Sequence, residues 1–260
     1  MTWQVVAKGG SDFLINWGLI ALALREFWQH RDLIFKMDAP PEDRWMGYAI
    51  LGCGLAMIPM ALNSASFQAL LAAMILGSLL LSQWGVAFFV RFPGSIVMLL
   101  FSFYPDMGYL ANQTWRALTP HLLLERMTAG LASSGLQGIG YKAVAQGSLL
   151  SLPEGAVEVA SGCSGFDMAF YVAGGGGLMG LYYRLKKRQT LAIVVVGVAL
   201  ALAMNIPRVM LLAIASIHWG KASFEFWHGP IGGQIFAAIL FTIFHYIVMY
   251  VVNRSGRSAT

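Results

Sequence analysis

The sequence predicts an all-α polytopic membrane protein, and three observations carry that prediction. Hydrophobic residues make up 58% of the 260 residues and charged residues 11%, with a mean hydropathy of +0.66. A soluble domain is nearer half apolar and a quarter charged. The apolar residues also fall into runs of membrane-crossing length, and Lys and Arg collect in the short stretches between them. At ~20 residues per crossing the chain has room for about seven transmembrane helices, within a range of six to eight. One integral membrane domain over residues 1–260 is the expectation. The net charge of +5 calls for no nucleic-acid partner, because the positive-inside rule places Lys and Arg in the loops of any such protein.

The runs are read in order as spans at roughly 13–25, 45–62, 67–90, 94–105, 166–183, 191–217 and 235–252. The first is short. It resembles a signal peptide near Ala21-Leu22-Ala23, but only Lys8 supplies a positive leader, so a retained span is expected. Trp45 opens the second at the depth interfacial Trp prefers, and Asn63-Ser64-Ala65-Ser66 breaks it from the third. Pro93-Gly94 and Pro105-Asp106 bound the fourth. Arg184, Lys186, Lys187 and Arg188 close the fifth, and as the densest basic cluster they assign that end to the cytoplasm. The fixed alternation then puts 107–162 and 218–229 outside, and Arg254 and Arg257 agree with a cytoplasmic C-terminus.

Segment 107–162 has a different texture. Thr114-Trp115-Arg116, His121 and Glu125-Arg126 alternate with Leu and Met, which predicts an amphipathic helix lying in the interface. Breakers follow from Ser133-Ser134-Gly135 through Gly140, Gly147 and Pro153. Between them Ser148–Leu152 and Ala156–Ala160 read as a small external β-hairpin.

The chemistry collects at span ends. Cys163 sits in Ser161-Gly162-Cys163-Ser164-Gly165, where the external segment meets a span. A thiolate is a good acyl-transfer nucleophile, and a nearby cation raises its fraction. Gly162 and Gly165 would let backbone N–H groups approach an attacked carbonyl. Taken alone, a free cysteine is more often a small packing residue. Arg208 lies within an apolar run, where an Arg is costly and usually faces a functional interior. Pro207 before it predicts a kink or unwinding, with Asn205 on the same face to satisfy freed backbone groups. His228, between Trp227 and Gly229-Pro230, is read as lying on a loop or helix start, where an imidazole can protonate a leaving amine. Asp167, one turn after Cys163, could pair with Arg208, orient His228 or serve only structure. His218 is a fallback base. No metal site is expected, since H-E-x-x-H is absent and Cys53 and Cys163 are not spaced for zinc. No cofactor is expected either. Gly174–Gly177, embedded in a span, reads as a helix-packing surface.

At Glu158-Val159-Ala160-Ser161-Gly162-Cys163-Ser164-Gly165, Asn205-Ile206-Pro207-Arg208-Val209 and Phe226-Trp227-His228-Gly229, the chain resembles the exosortase/archaeosortase family of polytopic membrane cysteine transpeptidases. The last of these is most similar to the cyanobacterial type. The likeness covers about residues 45–252, including Phe92-Pro93 to Tyr104-Pro105 and the external stretch Tyr141–Val159. It departs at Pro207, where the family often has an aliphatic residue. The resemblance implies catalytic roles for Cys163, Arg208 and His228, and Asn205, Glu158 and Asp167 are kept beside them as supporting candidates. Cys163 would form a thioester, Arg208 would stabilise the thiolate or oxyanion, and His228 would act as acid and base. The implied substrates are exported proteins anchored in the bilayer by C-terminal sorting signals, with a short Pro-Glu-Pro-like motif, a transmembrane helix and basic residues. The implied site is at the external face of the cell (inner) membrane. Two rival classes are a transporter or channel with Arg208 and His228 along a polar path, and a non-catalytic membrane assembly factor. The sequence leaves oligomeric state, the substrate motif and the acyl acceptor open.

Overall fold

The computed structural model describes residues 12–61, 64–104 and 106–257, which fall into two compact units, Met1–Met107 and Gly108–Thr260. Lys8, Asn63, Pro105 and the Leu62 end of the second expected span lie outside the described residues. Among those described, three helical stretches are long and apolar enough to cross a membrane, Ser66–Arg91, Lys187–His228 and Pro230–Arg254. The protein is mostly helical, with one small antiparallel sheet.

In the first unit, α1 (Asp12–Gln29) leads through the one-turn α2 (Arg31–Ile34) to α3 (Pro41–Ala56). The expected span 45–62 stops at Ala56, and a separate turn α4 (Ile58–Ala61) follows. Pro59 explains the stop, because proline has no N–H to donate to the carbonyl four residues back and its ring crowds that carbonyl. Helix α5 (Ala65–Arg91) starts on Ser64, whose hydroxyl accepts from the Phe67 N–H at 3.3 Å. It is not one smooth rod. Gly85 has φ 71° and ψ −178°, and the Asp43 carboxylate accepts from the Val86 N–H at 2.8 Å, capping the resumed helix. A side chain at Gly85 would meet Asp43 Oδ2 at 2.7 Å, so glycine is required there by both backbone and space. Helix α6 (Pro93–Phe101) is nine residues, about 14 Å at 1.5 Å per residue. That is half of a ~30 Å hydrocarbon core, so this helix alone does not make the fourth expected crossing. Phe88 and Phe92 are buried with Ile34, Leu80 and Ile96.

In the second unit, the single amphipathic helix expected near 114–126 is two helices, α7 (Met107–Leu118) and α8 (Leu123–Gly138), separated at Thr119-Pro120-His121-Leu122. His121 is in that turn, not on a helix. Helix α8 continues through Ser133-Ser134-Gly135, a stretch whose composition reads as loop. Packing overrides propensity here. Ala129, Ala132 and Leu136 are fully buried, and a side chain at Gly135 would stand 2.6 Å from the Met210 sulfur.

The expected hairpin is present and gains a strand. β1 (Val144–Gln146), β2 (Leu149–Leu152) and β3 (Gly155–Glu158) form an antiparallel sheet in the order β1-β2-β3. In its register Leu150 faces Val157 and Leu149 faces Glu158. Alternation turns Leu150 and Leu152 inward, where they join Ala143, Val159, Leu136, Val209 and Ala213 in one core.

A short 3₁₀ turn, Ser161–Cys163, connects the sheet to α9 (Phe166–Tyr182). Beyond the basic turn, α10 (Lys187–Ile214) passes into a π-helical turn, Ala215–Trp219. Then come α11 (Gly220–His228) and α12 (Pro230–Arg257). The glycine run of α9 is partly the close-packing surface expected of it. A side chain at Gly176 would press on Phe244 at 3.2 Å and Ile193 at 3.3 Å, while Gly175 and Gly177 meet nothing. Pro207 lies inside α10, which continues to Ile214 rather than unwinding. The irregularity comes later, at the π turn. The region 218–229, expected as a loop, is mostly the helix α11.

Candidate active site

The turn that carries Cys163 is fixed by its backbone. The Cys163 N–H donates to the Ala160 carbonyl at 2.9 Å, and the buried Ser164 hydroxyl donates to the Ser161 carbonyl at 2.7 Å. Gly165 then adopts φ 87° as the residue before α9. A Cβ on Gly165 would stand 3.0–3.1 Å from the Asn205 side chain. It turns the chain in the left-handed region while leaving room for Asn205.

Two neighbouring helices grip this turn. From α10, the Asn205 amide donates to the Cys163 carbonyl at 2.8 Å. From α8, the Thr128 hydroxyl donates to the Ser164 carbonyl at 3.1 Å. Asn205 is 1% exposed, so this bond is made inside the protein. The expectation that Asn205 serves its own helix backbone is thereby corrected. Its partner is the cysteine turn.

Arg208 follows Asn205 by three residues, and three residues along a helix return to nearly the same face. One guanidinium N–H donates weakly to the Met168 sulfur at 3.9 Å. Nε is buried without a partner, as is Asn205 Oδ1. A buried unpaired polar atom carries about 1–3 kcal/mol, so this face of α10 holds polar capacity that the fold does not use. Cys163 itself is half-buried and packs at the edge of the core containing Val209 and Ala213. Burial pushes its thiol up from the ordinary value, and the Arg208 guanidinium pulls in the opposite direction with the smaller effect.

The other candidates are placed differently. His228 is the exposed last residue of α11, its ring stacked on Phe224 at 5.1 Å and 19°. Among the described residues no hydrogen bond joins it to Cys163 or Arg208. Glu158 is the exposed end of β3, opposite Leu149, and Asp167 is exposed in the first turn of α9. His218 lies in the π turn against the Tyr141 ring, at 5.7 Å. No group of His, Cys, Asp or Glu among the described residues is arranged to hold a metal ion.

Sequence reasoning missed Thr128, Ser164 and the pair Arg116–Glu125. The last two meet at 3.1 Å, with Glu125 6% exposed. They line a cleft of about 130 Å³ together with Asn112, His121, Ser164 and Phe166. A polar residue beside the cysteine was a visible signal for Ser164. Nothing local marks Thr128 or Glu125 as buried.

Searches of curated proteins and of solved structures each returned no match. A family model for transmembrane exosortases matches residues 7–245, a stretch that contains the cysteine turn, Asn205, Arg208 and His228. The chain therefore belongs to the transmembrane exosortase family.

Proposed function

We propose that the protein is a membrane-embedded cysteine protease or transpeptidase that cleaves C-terminal sorting signals from exported, membrane-anchored proteins. The observation that carries this reading is the single construction in which Asn205 holds the Cys163 carbonyl while Arg208, on the same helix face, acts on the thiol's charge. The Cys163 thiolate attacks the scissile carbonyl carbon, and the C–O π electrons collect on oxygen, opposite a guanidinium that still has an unpaired buried N–H. As the carbonyl re-forms, the C–N bond breaks. The leaving nitrogen takes a proton from the imidazolium of His228 and departs as an amine. Water or an acceptor amine then attacks the thioester and gives its proton to neutral His228, and the C–S bond breaks to return the thiolate. The thiolate and the imidazolium arise together when substrate binds and the Cys163 thiol passes its proton to His228, so no standing bond between His228 and Cys163 is required in the free protein.

In this reading the cysteine turn lies at the external face of the inner membrane and the C-terminus in the cytoplasm. The support for this is the basic turn at Arg184, Lys186 and Lys187 between α9 and α10. A substrate tethered in the same bilayer presents its cleavage motif at that depth, which removes much of the search for a productive pose.

The test is co-expression with a reporter ending in a short motif, a transmembrane helix and basic residues, with release followed by mass shift. Cys163→Ala is expected to end release while the protein stays in the membrane at the wild-type level. Release that persists in Cys163→Ala overturns the proposal. A transporter or assembly factor would tolerate that change.

A further inference from the structure

A hydroxyl inside a helix ordinarily donates to its own helix, at the carbonyl three or four residues back. Ser78, Ser82, Thr114 and Thr242 do so here at 2.7–3.0 Å, and Ser134 of α8 does so at 3.1 Å. Thr128, earlier in the same helix, does not. Its hydroxyl leaves α8 and donates to the Ser164 carbonyl, 36 positions away in sequence, at 3.1 Å. Thr128 is 7% exposed and Ser164 2%. The bond is therefore made where water does not compete for it, and where an unpaired carbonyl would be costly.

Asn205 and Thr128 act on consecutive carbonyls, those of Cys163 and Ser164. The bonds within the turn run from the Ser164 N–H at 3.2 Å and the Ser164 hydroxyl at 2.7 Å to the Ser161 carbonyl. They make the turn stiff, but they move with it. A stiff turn held from α10 at one carbonyl can still swing about that bond. A second bond, from a different helix and at the next peptide plane, removes the swing. Helix α8 is seated on α10 where Gly135 leaves room for Met210, so the two anchors keep their spacing. Because Asn205 shares α10 with Arg208, the turn is thereby set at a fixed place against the guanidinium.

We infer that Thr128 is a positioning residue for acyl transfer, acting through the Ser164 carbonyl to keep Cys163 aimed at the scissile carbon. This rests on the reading of Cys163 as nucleophile. Attack needs the reacting atoms about 3–3.5 Å apart and aligned, and a misplacement of about 1 Å can cost about 10²-fold. The hydroxyl serves the chemical step and not the capture of substrate, so its loss falls on kcat and leaves KM in place.

The reporter used above tests this with the full chain purified in detergent micelles and the reporter concentration varied. Thr128→Val keeps the shape of the side chain and removes the donor. Per folded molecule its kcat should fall by about 10–10²-fold, with KM within about twofold of wild type. Thr128→Ala removes the donor without a branched side chain, should show the same split, and decides the question if the Val variant does not accumulate. Thr128→Ser keeps the donor on a less restricted χ1, and should bring kcat back to within about threefold of wild type. A merely structural hydroxyl would lower the melting midpoint without changing kcat per folded molecule. Wild-type kcat in the donorless variants, a loss carried by KM, or a Ser variant as slow as Val each overturns the positioning role. If release still depends on Cys163, those results leave the proposed function standing. Release that persists in Cys163→Ala removes both.

Discussion

The Cys163 turn and the His228 helix end belong to the same compact unit and are built in opposite ways. Around Cys163 the backbone is held from α10 by Asn205, from α8 by Thr128 and from within by Ser164. His228 is exposed, stacks on a ring one turn back in its own helix, and is followed at once by Gly229-Pro230. The Cys163 turn is over-determined, whereas His228 is held by little. Positioning at the cysteine belongs to the folded core, and under the proposed function positioning at His228 is left to be completed by substrate. Substitutions should separate these two regimes.

The largest separation after loss of the cysteine itself is expected at His228. His228→Ala should slow reporter release by about 10²–10⁴-fold, the usual contribution of a general acid–base group. The melting midpoint in detergent should not move, because exposed substitutions away from a built feature stay within about 0.5 kcal/mol. A large drop in that midpoint would show His228 to be part of the packed structure, and the contrast would collapse.

Arg208 sharpens the comparison from the other side. Arg208→Met should reduce release by about 10²–10³-fold, as loss of a charge-stabilising donor does. Its effect on stability should be neutral or favourable, because the buried Nε has no partner and such a group carries about 1–3 kcal/mol. Activity lost with stability retained marks a residue kept for chemistry. If Arg208→Met destabilises the protein strongly, the guanidinium is a structural element and its unpaired atom has no catalytic meaning.

How legible all this is in the sequence depends on what each feature answers to. Span-like runs, the basic turn at 184–188 and a cysteine at a helix start are local properties of composition, and they are readable. The hairpin was also readable from its turn residues, but β1 was not, since Val144-Ala145-Gln146 is too short and mixed to announce a strand. The errors came where neighbours overrule local rules. Pro207 and Ser133-Ser134-Gly135 both look like helix breakers. Yet α10 runs through the first, and α8 runs through the second, where Gly135 admits the Met210 side chain. The face of Asn205 is legible from its spacing to Arg208, but its partner is not. Its bond to Cys163 spans 42 positions of sequence, and no periodicity encodes such a contact. Glu125 reads as an exposed interfacial acid for the same reason, and only the tertiary structure shows it buried against Arg116.

The smallest expected effect concerns the thiol itself, and its sign can be worked out. Burial raises the Cys163 thiol above its ordinary value, and Arg208 offsets part of that rise. A raised value means that the resting thiol is mostly protonated at neutral pH. Alkylation by a small uncharged reagent, which needs the thiolate, should therefore climb with pH through a midpoint above that of a free cysteine. Cys53 is also free and is exposed, so the measurement belongs in a Cys53→Ser background, where only Cys163 reports. In Arg208→Met the downward pull of the guanidinium is gone while the burial remains. The midpoint should move higher still, and alkylation at any pH below it should slow. A wild-type midpoint below the ordinary thiol range would mean that the cation outweighs burial. The turn would then hold a standing thiolate, and substrate would not be needed to complete the site by displacing water and delivering the imidazole.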